Sequence, residues 1–376
     1  MPDSSELSTV VHLPPKRKRA PLAWVGNGFL LLVAALAAYI LILNLIKNPV
    51  IFLQNVIDGL KLGMVYALIA LGYTMVYGIV KLINFAHGDV FMVGAFTSFY
   101  AVSQFNLHKW PQMLFPAIPA GLSVVIGSIT VILLSMVICV LLAITIERVA
   151  YKPLRDAPRI AALITAIGVS FFLEFFGALQ FVYSPEFISY KSPFDTVSWY
   201  IMNGIHPIVA GQGTPDNTIT FSNIFLIILV ASVAVQFFLQ FLVRRTKIGI
   251  AMRATSFDKS TARLMGINVD RVISFTFAVG AAFAGLGGVL YAIAYSSIWT
   301  QLGILPGLKA FVAAVLGGIG SLPGAFVGAL IMGQAESLTM SYISTPMRDA
   351  VAFSILIVVL LVKPTGIFGE PAGEKA

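Results

Sequence analysis

Charge is scarce in this chain. Of its 376 residues only 11% are Asp, Glu, Lys or Arg, while 58% are hydrophobic, and the mean hydropathy is +0.92. Soluble domains carry about 25% charged residues, so too few polar side chains exist to cover a globule in water. The alternation of period two that a closed outer-membrane barrel requires is also missing. Cysteine occurs once, as Cys139. This excludes an intrachain disulfide and any multi-cysteine metal site. Within LLSMVICVLLAI the thiol reads as a small packing group at lipid depth.

What the chain does contain is a series of apolar runs near the roughly 20 residues needed to cross a bilayer as a helix. The fold class expected is all-α, a polytopic transmembrane helical bundle of about 8–10 membrane segments, some broken or re-entrant. Its net charge of +8 does not argue for nucleic acid. The basic residues cluster between apolar runs, as the positive-inside rule expects, and the partner they imply is a lipid membrane.

The first twenty residues are polar and end in the basic block Lys16 to Arg19. The apolar run Leu22 to Ile46 that follows exceeds the core of a cleaved signal peptide, about 7–15 residues, and reads as a retained helix with its N-terminus cytoplasmic. Further spans are expected near 55–80, 88–105, 117–145, 160–183, 221–243, 272–295, 308–338 and 349–363. Parity then brings ERVAYKPLRDAPR (Glu147 to Arg159) and the loop Arg244 to Arg271 to the same side as the first basic block, and all three are rich in Lys and Arg. The segment Ser184 to Asn223 faces the opposite side, with Trp199 and Tyr200 expected at the headgroup level.

Two polar breaks interrupt the apolar sequence. In GYTMVYGIVKLINFAHGDVFMVGAF, the groups Lys81, Asn84, His87 and Asp89 arrive together. Two readings stand open: Asn84, His87 and Asp89 line a pathway or gate, or they form a turn at the cytoplasmic face that caps the next helix. The second break, GGIGSLPG with Gly317, Gly318 and Gly320, is a helix breaker in an apolar run. It reads as a broken or re-entrant hairpin, or else as one kinked crossing. Irregular backbone at membrane depth is tolerated only where protein or water satisfies it. The breaks are followed by VGAF and PGAF, a faint internal similarity of the kind that marks a shared pathway in repeat-built transporters. Glu174, among phenylalanines in VSFFLEFFGAL, costs about 2.5–3.5 kcal/mol at a span centre. It must be protonated or paired. Apart from Glu174 and the first break, the spans show no midplane charges of the kind a stand-alone secondary transporter would use. Gly280, Ala284 and Gly288, and Gly324 with Gly328, form small-residue stripes for close helix packing.

In the loop 244–271, Asp258 can cap a short helix KSTARLM (Lys259, Ala262, Arg263, Leu264 and Met265 among its residues), closed by Gly266 at the C-terminal cap. So short a helix needs a partner surface to persist, and Ala262 is expected on its buried side. The bland alternative is a solvated basic loop.

Beyond class, the residues carry a specific resemblance. GMVYALIALGYTMVYGIVKLINFAHGDVFMVGAF, ERVAYKPLR, ARLMGINVDRVISFTFAVGAAFAGLGGVL, GLKAFVAAVLGGIGSLPGAFVGALI and VLLVKPTGIFG resemble, in the same order, the H-type permeases of branched-chain amino acid ABC transporters. The resemblance runs from about Asn55 to Gly369. It leaves residues 1–50 as an N-terminal extension with a basic cytoplasmic tail and an extra transmembrane helix, 51–369 as the permease domain and 370–376 as a short cytoplasmic tail. It implies an ATP-driven, binding-protein-dependent importer in a bacterial inner membrane. The partners implied are a second, M-type permease, two ABC ATPase subunits and a periplasmic substrate-binding protein. No G-x-x-x-x-G-K-[ST] phosphate loop occurs in the chain, which agrees with ATP and Mg being bound by the partner ATPases, with no cofactor in this chain and no enzyme activity of its own. The 258–266 segment resembles the coupling helix that docks on the ATPase. Leucine, isoleucine and valine are the cargo the resemblance implies. Related permeases carry urea, short amides or other amino acids.

Overall fold

The computed structural model describes residue 35 and residues 38–369, except 156, 203, 209–214, 216 and 217. The basic block 16–19, most of the run 22–46 and the tail 370–376 lie outside the described residues. The chain divides into two compact units, Met1–Phe52 and Leu53–Ala376. In the first, helix α1 (Ala38–Lys47) is short and apolar, and Tyr39, Ile42 and Ile46 are exposed.

The second unit is a helical bundle built around glycine crossings. Helix α2 (Pro49–Val80) ends where Lys81 takes a left-handed backbone, φ 60°, a conformation costing an L-residue about 1–2 kcal/mol. After six residues α3 (His87–Ser103) begins with Asp89 in its first turn, where a carboxylate faces the positive end of the helix dipole. A 60° bend leads into α4 (Trp110–Leu114). Pro119 precedes α5 (Ala120–Ile146), which runs on through a π-helical turn, Glu147–Tyr151. Pro158 starts α6 (Arg159–Gly177).

Then the chain leaves helix for two small sheets. Strand β1 (Ile188–Ser189) pairs with the later β5 (Ser297–Ile298), and β2 (Ser198–Ile201) lies between β3 (Ile205–Pro207) and β4 (Ile219–Ser222), all antiparallel. Trp199 stacks on Phe221 across β2 and β4, and Tyr200 on His206 across β2 and β3. The segment 184–223, expected as a connection between spans, thus carries short strands that the sequence analysis did not anticipate, held by aromatic cross-strand pairs.

Helix α7 (Asn223–Arg245) is capped by Ser222 and α8 (Lys247–Phe257) by Thr246. The short α9 (Lys259–Leu264) precedes α10 (Val269–Tyr295). Helices α11 (Ile304–Gly317) and α12 (Leu322–Tyr342) form an antiparallel hairpin, and α13 (Met347–Val362) closes the bundle. The hairpin follows from glycine. A Cβ on Gly317 would strike the Gly324 carbonyl, and one on Gly328 the Ala313 carbonyl. Gly318 and Gly320 take φ of 108° and 100° in the turn, where other residues are strained. The break is thus a hairpin of a half-length helix and its return, not one kinked crossing.

The small-residue stripes pack within the subunit. Gly280 lies on Gly72, Gly288 on the Phe91 carbonyl, and Gly285 on the Cys139 sulfur. Cys139 is fully buried and reaches the Val90 carbonyl at 3.3 Å. Five of the described helices are long and apolar enough to cross a membrane, six if the α3–α4 pair counts as one span. The remaining expected segments correspond to α11, α12 and α13. Of these α11 is too short for a full crossing, 14 residues or about 21 Å at 1.5 Å per residue. The molecule is a multi-pass membrane protein.

Candidate functional site

The polar groups of the first break do not act together. Asn84 is buried and accepts a hydrogen bond from the Tyr151 hydroxyl at 2.6 Å, which ties the break to the π turn after α5. His87 lies edge-on to Tyr73, ring centroids 4.8 Å apart, over Gly72, where any side chain would collide with its ring. Neither residue lines the cavity beside Asp89, and the buried His87 Nε2 has no hydrogen-bond partner.

Asp89 is different. Its side chain is 1% exposed, Ser170 of α6 donates to Oδ2, and Oδ1 has no hydrogen-bond partner. The Glu174 carboxyl, one turn beyond Ser170, lies within hydrogen-bonding reach of both. These groups line a cavity of about 270 Å³ whose other walls are Tyr73, Phe85, Ile167, Phe171, Ile304 and Leu308. Glu174 lies fifteen residues into α6, about 22 Å along its axis at 1.5 Å per residue. Ser170, which donates to Asp89, lies eleven residues into α6, about 16 Å along it at 1.5 Å per residue, so α3 starts beside the middle of α6. Close backbone approach makes this possible: a Cβ on Gly88 would overlap the Gly303 carbonyl, and one on Gly303 would come 2.8 Å from Asp89 Oδ1.

Gly317, Gly318 and Gly320 do not join the cavity. They form the α11–α12 turn, sealed by the C-terminal segment through Ile367 N–H to Leu316 O and Phe368 N–H to Gly317 O, each 2.9 Å. Gly320 borders a separate space of about 90 Å³ beside Gly78 and Arg253.

A buried ionic cluster escaped the sequence reading, which found no midplane charges beyond Glu174 and the first break. Lys309 of α11 contacts Glu336 of α12 and Asp349 of α13, each at 2.6 Å, and Tyr66 of α2 donates to Glu336 at 2.9 Å. The sequence signal was faint: GLKAF and GQAES each carry one charge in a small-residue run. A second cluster joins the π turn to α10. Arg155 pairs with both Glu147 and Asp270, Lys152 pairs with Asp270 at 3.1 Å, and Ser274 donates to Glu147 at 2.7 Å. In the segment after α6, burial pushes the Tyr190 hydroxyl up to about 12, so it stays neutral.

The loop 244–271 folds as capping chemistry dictates. The Asp258 carboxylate accepts from Ser260 N–H at 2.8 Å and Thr261 N–H at 3.4 Å, and Gly266 adopts φ 82°. Ala262, however, is 3% exposed and packs into the chain's own core. Leu264 and Met265 stand out at 87% and 78% exposure, with Phe257 beside them. Lys259 reaches the Val80 carbonyl, the last residue of α2, at 3.4 Å.

The family model described as "Branched-chain amino acid transport system / permease component" matches residues 55–360. The chain is 41% identical over 325 residues to the high-affinity branched-chain amino acid transport system permease protein LivH of Salmonella typhimurium, covering 86% of this chain and 97% of the relative. It is 38% identical to the corresponding protein BraD of Pseudomonas aeruginosa, covering 86% and 98%. Among solved structures, PsaBC from Streptococcus pneumoniae in complex with Fab aligns over 87% of this chain and 97% of that one at 13% identity, TM-score 0.39.

Proposed function

The chain belongs to the family of branched-chain amino acid transport permease components, and on that premise we propose that it forms, with a second permease, the membrane pathway of an ATP-driven importer for leucine, isoleucine and valine. The observation that carries this reading is identity to the LivH permease along nearly that protein's whole length. ATP is hydrolysed by two partner ATPases, a periplasmic binding protein delivers the cargo, and the assembly sits in a bacterial inner membrane with the N-terminus of this chain in the cytoplasm.

Coupling runs through α9. The exposed Phe257, Leu264 and Met265 offer apolar surface to an ATPase groove, while Asp258 and Gly266 fix the helix ends. The Lys259 contact with Val80 joins this helix to the end of α2, from which the chain passes through the break to Asp89. A displacement of α9 therefore has a short covalent and hydrogen-bonded route to the cavity.

Reconstitution in liposomes tests the reading. Leucine uptake is expected only with ATP, both ATPases and the loaded binding protein. Uptake by the permeases alone, driven by an ion gradient, would instead mark a secondary transporter.

A further inference from the structure

We propose that the Asp89–Ser170–Glu174 cavity is a transient binding site for the α-ammonium group of the permeating amino acid. This rests on the importer reading above and adds the chemistry by which the pathway holds its cargo.

The first observation is an acceptor without a donor. Asp89 lines the cavity, and its buried Oδ1 has no hydrogen-bond partner. An acceptor left so at this depth loses the desolvation cost of the group, and a donor carried by a solute would recover it. The second observation is charge. Two carboxyl groups converge, yet none of the ion pairs among the described residues includes Asp89 or Glu174. A cation is therefore the fitting ligand, and intramembrane ionisable groups without a structural partner mark solute pathways.

The third observation selects the kind of cation. Metal ions suit several converging oxygens, and no group of three or more metal-binding side chains occurs among the described residues. The walls opposite the carboxyls are instead apolar, from Ile167, Phe171, Ile304 and Leu308. An ammonium carries three donors, enough for Asp89 Oδ1, Glu174 and one further acceptor. A branched aliphatic chain next to it would lie on the apolar walls. The volume of about 270 Å³ is just below the range of drug-sized pockets, roughly 300–1,000 Å³, as suits a single small solute. A Cβ on Gly303 would come 2.8 Å from Oδ1, so only glycine lets the backbone pass this close to the carboxylate.

The test uses the full importer in nanodiscs without binding protein, carrying Ile167→Cys, with Phe171→Cys as a second reporter. The native Cys139 is buried. Maleimide labelling of the reporter is followed with leucine, with isoamylamine, which keeps the ammonium and the branched chain, or with 4-methylpentanoate, which keeps the carboxylate. Leucine and isoamylamine should slow labelling saturably and 4-methylpentanoate should not, and Asp89→Asn should lose the protection. Equal protection by 4-methylpentanoate, protection by none of the three, or full protection in Asp89→Asn overturns the site. ATP- and binding-protein-dependent leucine uptake by the wild-type complex in liposomes is measured alongside. Uptake without protection sinks this site alone, whereas absent uptake counts against the importer reading itself.

Discussion

Lys309 donates to Glu336 at 2.6 Å with both side chains buried, and the same ammonium contacts Asp349. Lys309 thereby ties three helices of the C-terminal half, and Arg348 lies beside it, 3.8 Å from Glu336 and 3.5 Å from Asp349. Removing one member of such a pair leaves an uncompensated charge, which costs about 3–5 kcal/mol, whereas replacing the pair by apolar groups is often neutral. Lys309→Met should therefore lower the melting temperature of the purified permease sharply. The double variant Lys309→Met/Glu336→Leu should recover most of the loss. A double variant as unstable as the single one would show that the pair is not the source.

Asn84 and Tyr151 form a second test pair. Their 2.6 Å hydrogen bond is buried and is worth about 0.5–1.5 kcal/mol net. Tyr151→Phe and Asn84→Ala should each destabilise, and the double variant should cost less than their sum, since both delete the same bond. Leucine transport per folded molecule should stay close to wild type. A selective loss of transport in Asn84→Ala, with melting unchanged, would return Asn84 to the pathway.

The reach of sequence reading divides along physical lines. Features set by local composition were legible: the apolar spans, the Asp258 cap and the Gly266 stop, and the glycine hairpin at 317–324. Groups that act only through pairing were not. Asp89 meets Ser170 across 81 positions and Lys309 meets Glu336 across 27, and no periodicity announces such partners. The NFAHGD break looked like one site because its polar residues are adjacent in sequence. The turn from Lys81 to His87 sends Asn84, His87 and Asp89 to three different neighbours. The small sheets of 184–223 were missed because strands of two to four residues carry no usable alternation.

Gly88 sets the spacing between α3 and α11. A Cβ there would overlap backbone atoms of Gly303, which cannot yield as a flexible side chain could. Overpacking of this kind costs about 1–3 kcal/mol. Gly88→Ala should reduce the yield of folded permease and shift its melting temperature down, and Gly121→Ala, with open space at its Cβ, should do neither. Identical behaviour of the two variants would refute the crossing.

Helix α9 gives the sharpest contrast, because the structure buries Ala262 within this chain and leaves Leu264 and Met265 exposed. The sequence placed Ala262 on the buried side of α9, and it is buried, but against this chain's own core. A guanidinium there would have to enter the packed apolar core that the Ala262 methyl occupies, so Ala262→Arg should impair folding of the permease itself. Leu264 and Met265 point away and are exposed, so Leu264→Asp and Met265→Asp should leave the isolated permease folded, with an unchanged melting temperature. In the importer those two variants should lose ATPase co-purification or leave ATP hydrolysis unresponsive to the loaded binding protein. Size-exclusion profiles of the permease, pull-down of the ATPase and stimulated hydrolysis separate the two outcomes. If Ala262→Arg folds normally and fails only in coupling, or if Leu264→Asp and Met265→Asp couple as wild type, then the docking face of α9 is not the one formed by Leu264 and Met265.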